Sequence, residues 1–408
     1  MNKPERVFIT GIGAVSSLGL GVEPLFAGAL AGTSGVRPWP AAEGRWVAAT
    51  IPDEMALRSM PGLPTNVDRH VTLASLAVRE AMSDARLAEF SPAQSERSGV
   101  YWGTGVGSAA TTENSYARLH AGQRIGPMTV LLAMQNAALA QIALEFGLRG
   151  PQLSVSQACA SAAAAIGEAM LALRWGRADR IVVGGSEAPV VQGQMQAWEA
   201  LRVLARRDEG APKKSCRPFD RRRSGLVLGE GASAFVLERE SVALERGARV
   251  HAELCGYGNA GDASNYARPD ADGQRRAMSL AVRDAGLAPA EIGYINAHAT
   301  ATTIGDQTEA AAIRDFFSGS GALPAVSSTK GVHGHTLGAA GALELAITVL
   351  ALEHGRLPPT AHLEEPDVDG INLLFGEARH MQIEAALSNT FAFGGSNVSL
   401  AIKRYGPG

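Results

Sequence analysis

Aromatic residues are scarce, only 5% of the chain, while glycine is plentiful at 47 of 408 residues. Packing must therefore rest on small and aliphatic side chains, with tight turns and close helix contacts. Cysteine is nearly absent: Cys159, Cys216 and Cys255 are an odd, scattered set. No disulfide framework can be built from them, their spacing does not suit a zinc knuckle, and they fit a reducing, cytoplasmic setting. Charge of either sign is not in excess, with a formal net of −3, so composition gives no reason to expect nucleic acid. Long hydrophobic runs are missing as well. The segments near Leu171 and Leu345 are interrupted by Glu168 and Glu344, and no membrane span is expected. The N-terminal Met1-Asn2-Lys3-Pro4-Glu5-Arg6 runs into a strand without a signal-peptide core.

What is present is an alternation of strands and helices. Val7-Phe8-Ile9-Thr10-Gly11-Ile12-Gly13-Ala14-Val15-Ser16 reads as a strand with a glycine turn. It looks like a dinucleotide fingerprint, but Ser16 replaces the third glycine and no acidic residue follows about 20 positions on. Asp68 to Ala85 reads as an amphipathic helix, and Thr129 to Phe146 as another. Gly99 to Gly107 is a strand with a phosphate-loop-like turn. Residues 202–223 are basic: Arg202, Arg206, Arg207, Lys213, Lys214, Arg217 and Arg221 to Arg223. Such a cluster is mostly a solvated surface, and it is also a candidate docking patch for an acidic partner.

The chemistry concentrates around Val155-Ser156-Gln157-Ala158-Cys159-Ala160-Ser161, where a strand turns into an Ala-rich helix. A thiol at a helix N-terminus meets unpaired N–H groups and the positive end of the helix dipole, so a thiolate is expected there. Alone, a buried structural cysteine would be the simpler reading. Three further segments change that: Asn296-Ala297-His298-Ala299-Thr300-Ala301-Thr302, then Ser327-Ser328-Thr329-Lys330-Gly331-Val332-His333-Gly334-His335, then Phe391-Ala392-Phe393-Gly394-Gly395-Ser396-Asn397. His333-Gly334-His335 invites a metal reading, but no HExxH or carboxylate partner stands at ligand spacing, and metal catalysis is not expected. The helix after Cys159 ends at Trp175-Gly176-Arg177, and the one after His335 ends at His354-Gly355-Arg356. This repeat suggests two duplicated α/β halves, 1–240 with the cysteine and 241–408 with the histidines and lysine.

Cys159, His298, Lys330 and His335, in this order and these surroundings, resemble the elongating β-ketoacyl-[acyl-carrier-protein] synthases of the thiolase superfamily. The resemblance extends through Arg217-Pro218-Phe219-Asp220 and Gly229-Glu230-Gly231-Ala232. It implies an α/β, five-layered αβαβα thiolase-like fold and an acyltransferase that joins an acyl thioester to malonyl carrier protein. It also implies a dimer, homodimeric or paired as in ketosynthase–chain-length-factor heterodimers. Cys159 would hold the acyl group, and its amide with that of Phe393 would form the oxyanion hole. His298 and His335 would stabilise the enolate, with Lys330 and Glu309 in the supporting network. Thr300 and Thr302 match pantetheine contacts, and Phe391 and Phe393 match the acyl gate. Arg124, Arg206, Arg207 and Lys213 stand nearest the family's carrier-docking positions. No cofactor is implied beyond the phosphopantetheine that the acyl carrier protein brings. A silent chain-length factor would lack the cysteine, and a non-condensing acyltransferase would not need two histidines. Ala162, Ala299 and Ala392 stand where the family usually has glycine, and Gln157 and His333 are further departures.

Overall fold

The computed structural model describes residues 5–42, 44–52 and 60–406. Ten strands carry the fold. In chain order they are β1 (Val7–Ser16), β2 (Ser98–Gly103), β3 (Gln152–Val155), β4 (Arg180–Glu187), β5 (Gly231–Arg239), β6 (Ala252–Gly261), β7 (Ile292–Asn296), β8 (Ala325–Ser327), β9 (Ala385–Ala392) and β10 (Ser396–Lys403). They lie in the order β3-β2-β4-β5-β1-β6-β10-β9-β7-β8, with two-residue strands at Gly19–Leu20 and Asn372–Leu373 added at the margins. Numbered within its own half, each set of five has the same order. Each also has the same sense: the innermost pairs are antiparallel and the outer two parallel. The halves meet where β1 pairs antiparallel with β6, Phe8 opposite Glu253.

Seven helices matter for the site: α1 (Arg69–Asp84), α2 (Ala137–Phe146), α3 (Ser161–Arg174), α4 (Gln192–Ala200), α5 (Ala271–Asp284), α6 (Thr303–Phe317) and α7 (Ala340–His354). Three apolar clusters define the layers. One packs α1 and α2 on the outer face of the first half-sheet. Another packs α5 and α6 on the outer face of the second. The largest lies between the half-sheets around α3 and α7. That is a five-layered αβαβα arrangement, as the resemblance implied. Helix α7, with the turn before it, forms the one span long and apolar enough to cross a membrane among the described residues. It is 89% buried, which makes it a core helix.

The duplication reaches single residues. A β-carbon on Gly11 or Gly13 would collide with the carbonyls of Ala81 or Ala77 in α1, and one on Gly256 or Gly258 with those of Ala281 or Ala277 in α5. The glycines of the fingerprint-like segment therefore sit inside a strand and let a helix approach its backbone. They make no cofactor turn. The two helices are capped alike, Asp68 accepting from the His70 amide and Asp270 from that of Asp272. One expectation fails in detail. The helix read over Thr129 to Phe146 is broken, because Met134 is extended between a short helix ending at Ala133 and α2.

Candidate active site

Beyond β3 the chain turns sharply, with Ala158 at φ 47°, a left-handed conformation that is costly for a residue with a β-carbon. Ser161 holds the turn: its hydroxyl accepts from the Gln157 amide (2.8 Å) and donates to the Ala158 carbonyl (2.7 Å). This sets Cys159, 5% exposed, just before α3. Small residues behind it bring helix and sheet together; a β-carbon on Gly103 or Gly185 would strike Ala162.

The other half contributes the imidazoles. His335 Nε2 lies 3.1 Å from Cys159 Sγ. The His298 and His335 rings are 5.3 Å apart, edge to face, and Phe391 packs 6.3 Å from His298. Glu309 of α6 fixes the His298 loop by accepting from the amides of His298 (2.9 Å) and Ala299 (2.6 Å). Lys330 is fully buried, and its ammonium donates to Glu344 of α7. The direct partner of the lysine is thus Glu344, which sequence reasoning passed over. Its signal was there, a charge at the fifth position of a helix that has no other charge up to Glu353. Glu309 supports the histidine backbone and is not the lysine's direct partner.

Electrostatics correct one expectation. Burial pushes the Cys159 thiol up to about 12, while Lys330 and the Phe393 amide, which donates toward the sulfur, pull it back less. The resting cysteine is a neutral thiol; desolvation outweighs the helix terminus. Burial first, then the nearby Lys330, holds His298 and His335 well below the ordinary histidine range, so both rings are neutral. Burial raises Glu309 and Glu344 to about 7 each, against the pull of Lys330.

A cavity of about 320 Å³ connects these groups to the surface. It is lined by Cys159, His298 and His335, by Thr300 and Thr302, and by Phe391 and Phe393. The exposed Arg202 and Arg268 also line it. The threonine hydroxyls lie 3.1 Å apart. The Phe/Gly turn is tied at its tip, the Gly394 amide donating to the Tyr266 carbonyl (2.7 Å) and Asn397 to Asp262 (2.6 Å). Left-handed backbone falls on Gly394 and Gly395, and Ala392 continues the strand. The Phe393 ring stacks on Trp198 of α4 at 6.0 Å. Met195, Leu226, Leu228 and Leu337 close an apolar group around the cysteine.

The phosphate-loop-like turn after β2 does bind an anion, but an internal one. Buried Glu187 accepts from the amides of Gly105 (2.6 Å), Val106 (3.1 Å) and Gly107 (2.9 Å), and from Gly338 (3.0 Å) across the halves. His333 turns away from the site, its Nε2 at 3.1 Å from Thr329 Oγ1. The ligand-like triad is instead Cys159, His298 and His335, whose donor atoms lie within 4.8 Å of one another. The basic segment is largely self-neutralised: Arg217 pairs with Asp208, Arg222 and Lys214 with Glu364, and Arg223 with Asp367. Arg207 bonds the Gly44 carbonyl and sits 3.6 Å from Glu209. Arg124, Arg206 and Lys213 remain exposed.

Residues 4–243 match the family model "Beta-ketoacyl synthase, N-terminal domain" and residues 251–364 its C-terminal counterpart. The chain belongs to the β-ketoacyl synthase family. Among curated relatives of this synthase, Nodulation protein E of Rhizobium sp. (strain N33) is 40% identical, covering 98% of the chain and 99% of that protein. The 3-oxoacyl-[acyl-carrier-protein] synthase 2 of Coxiella burnetii is 39% identical, covering 98% of each. Among solved structures, a β-ketoacyl synthase from Burkholderia phymatum superposes with a TM-score of 0.92 at 33% identity, covering 98% of the chain and all of that one. The ishigamide ketosynthase/chain length factor gives 0.89 at 33% identity, covering 99% and 100%.

Proposed function

We propose that this synthase catalyses decarboxylative Claisen condensation of an acyl thioester with malonyl carrier protein, yielding a 3-oxoacyl carrier protein and CO2. The observation that carries the reading is Cys159 Sγ at 3.1 Å from a neutral His335, with His298 beside them at the end of one cavity. Because the thiol is neutral, acyl loading needs a base. His335 Nε2 takes the thiol proton as sulfur attacks the thioester carbonyl, then returns it to the departing pantetheine thiol. The oxyanion is met by the amides of Cys159 and Phe393, the latter already aimed at the sulfur. In the second step His298 and His335, the latter now in its Nε2–H tautomer, donate N–H to the malonyl thioester oxygen. CO2 leaves, the enolate carbon attacks acyl-Cys159, and the thiolate that departs takes up a proton from water. Burial, and after it the nearby Lys330, keeps both rings neutral, and Glu344 holds the lysine in place. Thr300 and Thr302 line the route of the pantetheine arm, and Phe391 and Phe393 gate the acyl side.

The phosphopantetheine arrives on an acyl carrier protein, and the chain supplies no cofactor of its own. Arg206, Lys213 and Arg124 are exposed cations for that acidic partner, and Arg202 and Arg268 stand at the cavity wall. We further take 1–240 and 241–408 as the two halves, and the protein as cytoplasmic. Dimer formation is supported by β3, an exposed edge strand, and by exposed Tyr116, Leu119, Met128, Val130 and Leu131. The partner is a second copy or, as in the ishigamide complex, a chain length factor.

The deciding experiment is intact-mass measurement of the purified protein with acyl carrier-protein thioesters, followed by malonyl carrier protein. Acyl mass on Cys159, then 3-oxoacyl product, supports the reading. Loading without condensation would leave only an acyltransferase.

A further inference from the structure

Cys159, His298 and His335 offer one sulfur and two imidazole nitrogens, all buried, with donor atoms within 4.8 Å of one another and one pair already at 3.1 Å. We infer that this triad is a reversible zinc site whose occupation blocks acyl loading. A tetrahedral Zn²⁺ takes sulfur at about 2.3 Å and nitrogen at about 2.0–2.1 Å. Those bond lengths put the donor atoms roughly 3.3–3.6 Å apart, so closing the triad takes side-chain shifts on the order of 1 Å. The donor set suits the ion: neutral imidazoles have a free lone pair, and a thiol becomes a ligand by giving its proton to water as the S–Zn bond forms. The cavity supplies access and an open fourth position.

The charged and titratable groups near the triad are Lys330 and the carboxyl groups of Glu344, Glu187 and Glu309. The lysine is already met by Glu344. The site nevertheless lacks the outer bonds of a permanent metal centre. Among the described residues, neither His298 Nδ1 nor His335 Nδ1 has a hydrogen-bond partner. Such outer partners are commonly worth 10–100-fold in affinity, so the ion comes and goes. Acylation removes the sulfur from the ligand set and fills the fourth position. Zinc therefore inhibits loading of free enzyme and spares condensation from preformed acyl-enzyme.

The site uses the same triad as the proposed reaction, so the test must separate them. Metal-stripped protein is titrated with Co²⁺, and the thiolate charge-transfer and visible ligand-field bands are followed. One equivalent is expected to bind, Zn²⁺ to displace it, and the bands to vanish in Cys159→Ala and in the acylated protein. His298→Ala and His335→Ala should each weaken binding at least tenfold. Acyl loading by the stripped protein is measured on the same samples. Loading without cobalt bands, or bands that persist in Cys159→Ala, overturns the metal site and leaves the reaction standing. Cobalt bound through Cys159 in a protein that never loads an acyl group overturns the reaction alone.

Discussion

Cys159 is a neutral, buried thiol beside a neutral imidazole. Cys159→Ala is expected to abolish acyl loading and condensation together, read by mass spectrometry with an acyl donor. His298→Ala should load at near the wild-type rate but lose about 10²–10³-fold in condensation, since it removes a donor needed only at the enolate. His335→Ala should lose condensation similarly and also slow loading, if it takes the thiol proton as proposed. A His335→Ala protein that loads as fast as wild type would show that another base serves Cys159. The Lys330–Glu344 pair makes a separate prediction. Both are fully buried and Glu344 already sits at about 7, so Lys330→Ala leaves a protonated carboxyl without its partner and should cost about 1–3 kcal/mol of stability. Adding Glu344→Leu, which removes the unpaired polar group, should recover much of the loss, and a double-mutant cycle in denaturant measures it. At this scale the sequence singles out Cys159, His298, Lys330 and His335 as a set, through their order and surroundings, and the structure brings Cys159, His298 and His335 to one cavity. The lysine's partner and the state of the thiol were not legible. Both depend on burial, which arises only when the halves close.

Elements were read well where one helix or strand faces one layer. The repeated endings of α3 and α7, each at a left-handed glycine, Gly176 and Gly355, were visible as composition and are matched by the repeated sheet order. The break at Met134 was not visible, for no glycine or proline marks it. The gate is an intermediate case. Ala392 stands where the family usually has glycine, yet the left-handed residues are Gly394 and Gly395, and the β-carbon of Ala392 fits its strand. The brace that sequence reasoning missed is Trp198 stacked on Phe393. Ala392→Gly should free the turn by under about 1 kcal/mol and broaden acyl acceptance slightly, and Phe393→Ala should broaden it more. Loading rates across a chain-length series give the answer. Unchanged profiles in both variants would assign selectivity to the pocket wall, with Gly105 to Thr112 a candidate. For the basic segment, reversing exposed Arg206 and Lys213 should raise KM for the carrier-bound donor with strong salt dependence, and leave a small thioester mimic untouched. Equal loss on both substrates would make the segment structural.

The whole molecule depends on two halves staying in register, and one buried histidine joins them away from the active site. His251 precedes β6; its Nε2 lies 2.8 Å from Asp84 at the end of α1, and its Nδ1 lies 2.9 Å from Glu353 near the end of α7. Arg249 faces the same two acids, and the Ile12 amide donates to Asp84. Burial pushes the imidazole down, but Asp84 and Glu353 together outweigh it and hold it at about 9, while Glu353 is drawn down to about 2. The folded state therefore binds the proton more tightly than the unfolded chain, whose histidines titrate near 6.5. The stabilisation is fully present below pH 6.5 and is lost as pH rises to about 9. At about 1.4 kcal/mol per pH unit, the change is on the order of 3 kcal/mol. His251→Gln keeps the size of the group but cannot take the charge. Thermal midpoints measured at intervals from pH 6 to pH 10 should fall steeply for wild type across that window and much less for the variant, with acyl loading at pH 7 preserved in both. Parallel curves for the two proteins would mean that the histidine does not carry the link, and that the contact of β1 with β6 and the packing of α3 on α7 hold the halves together unaided.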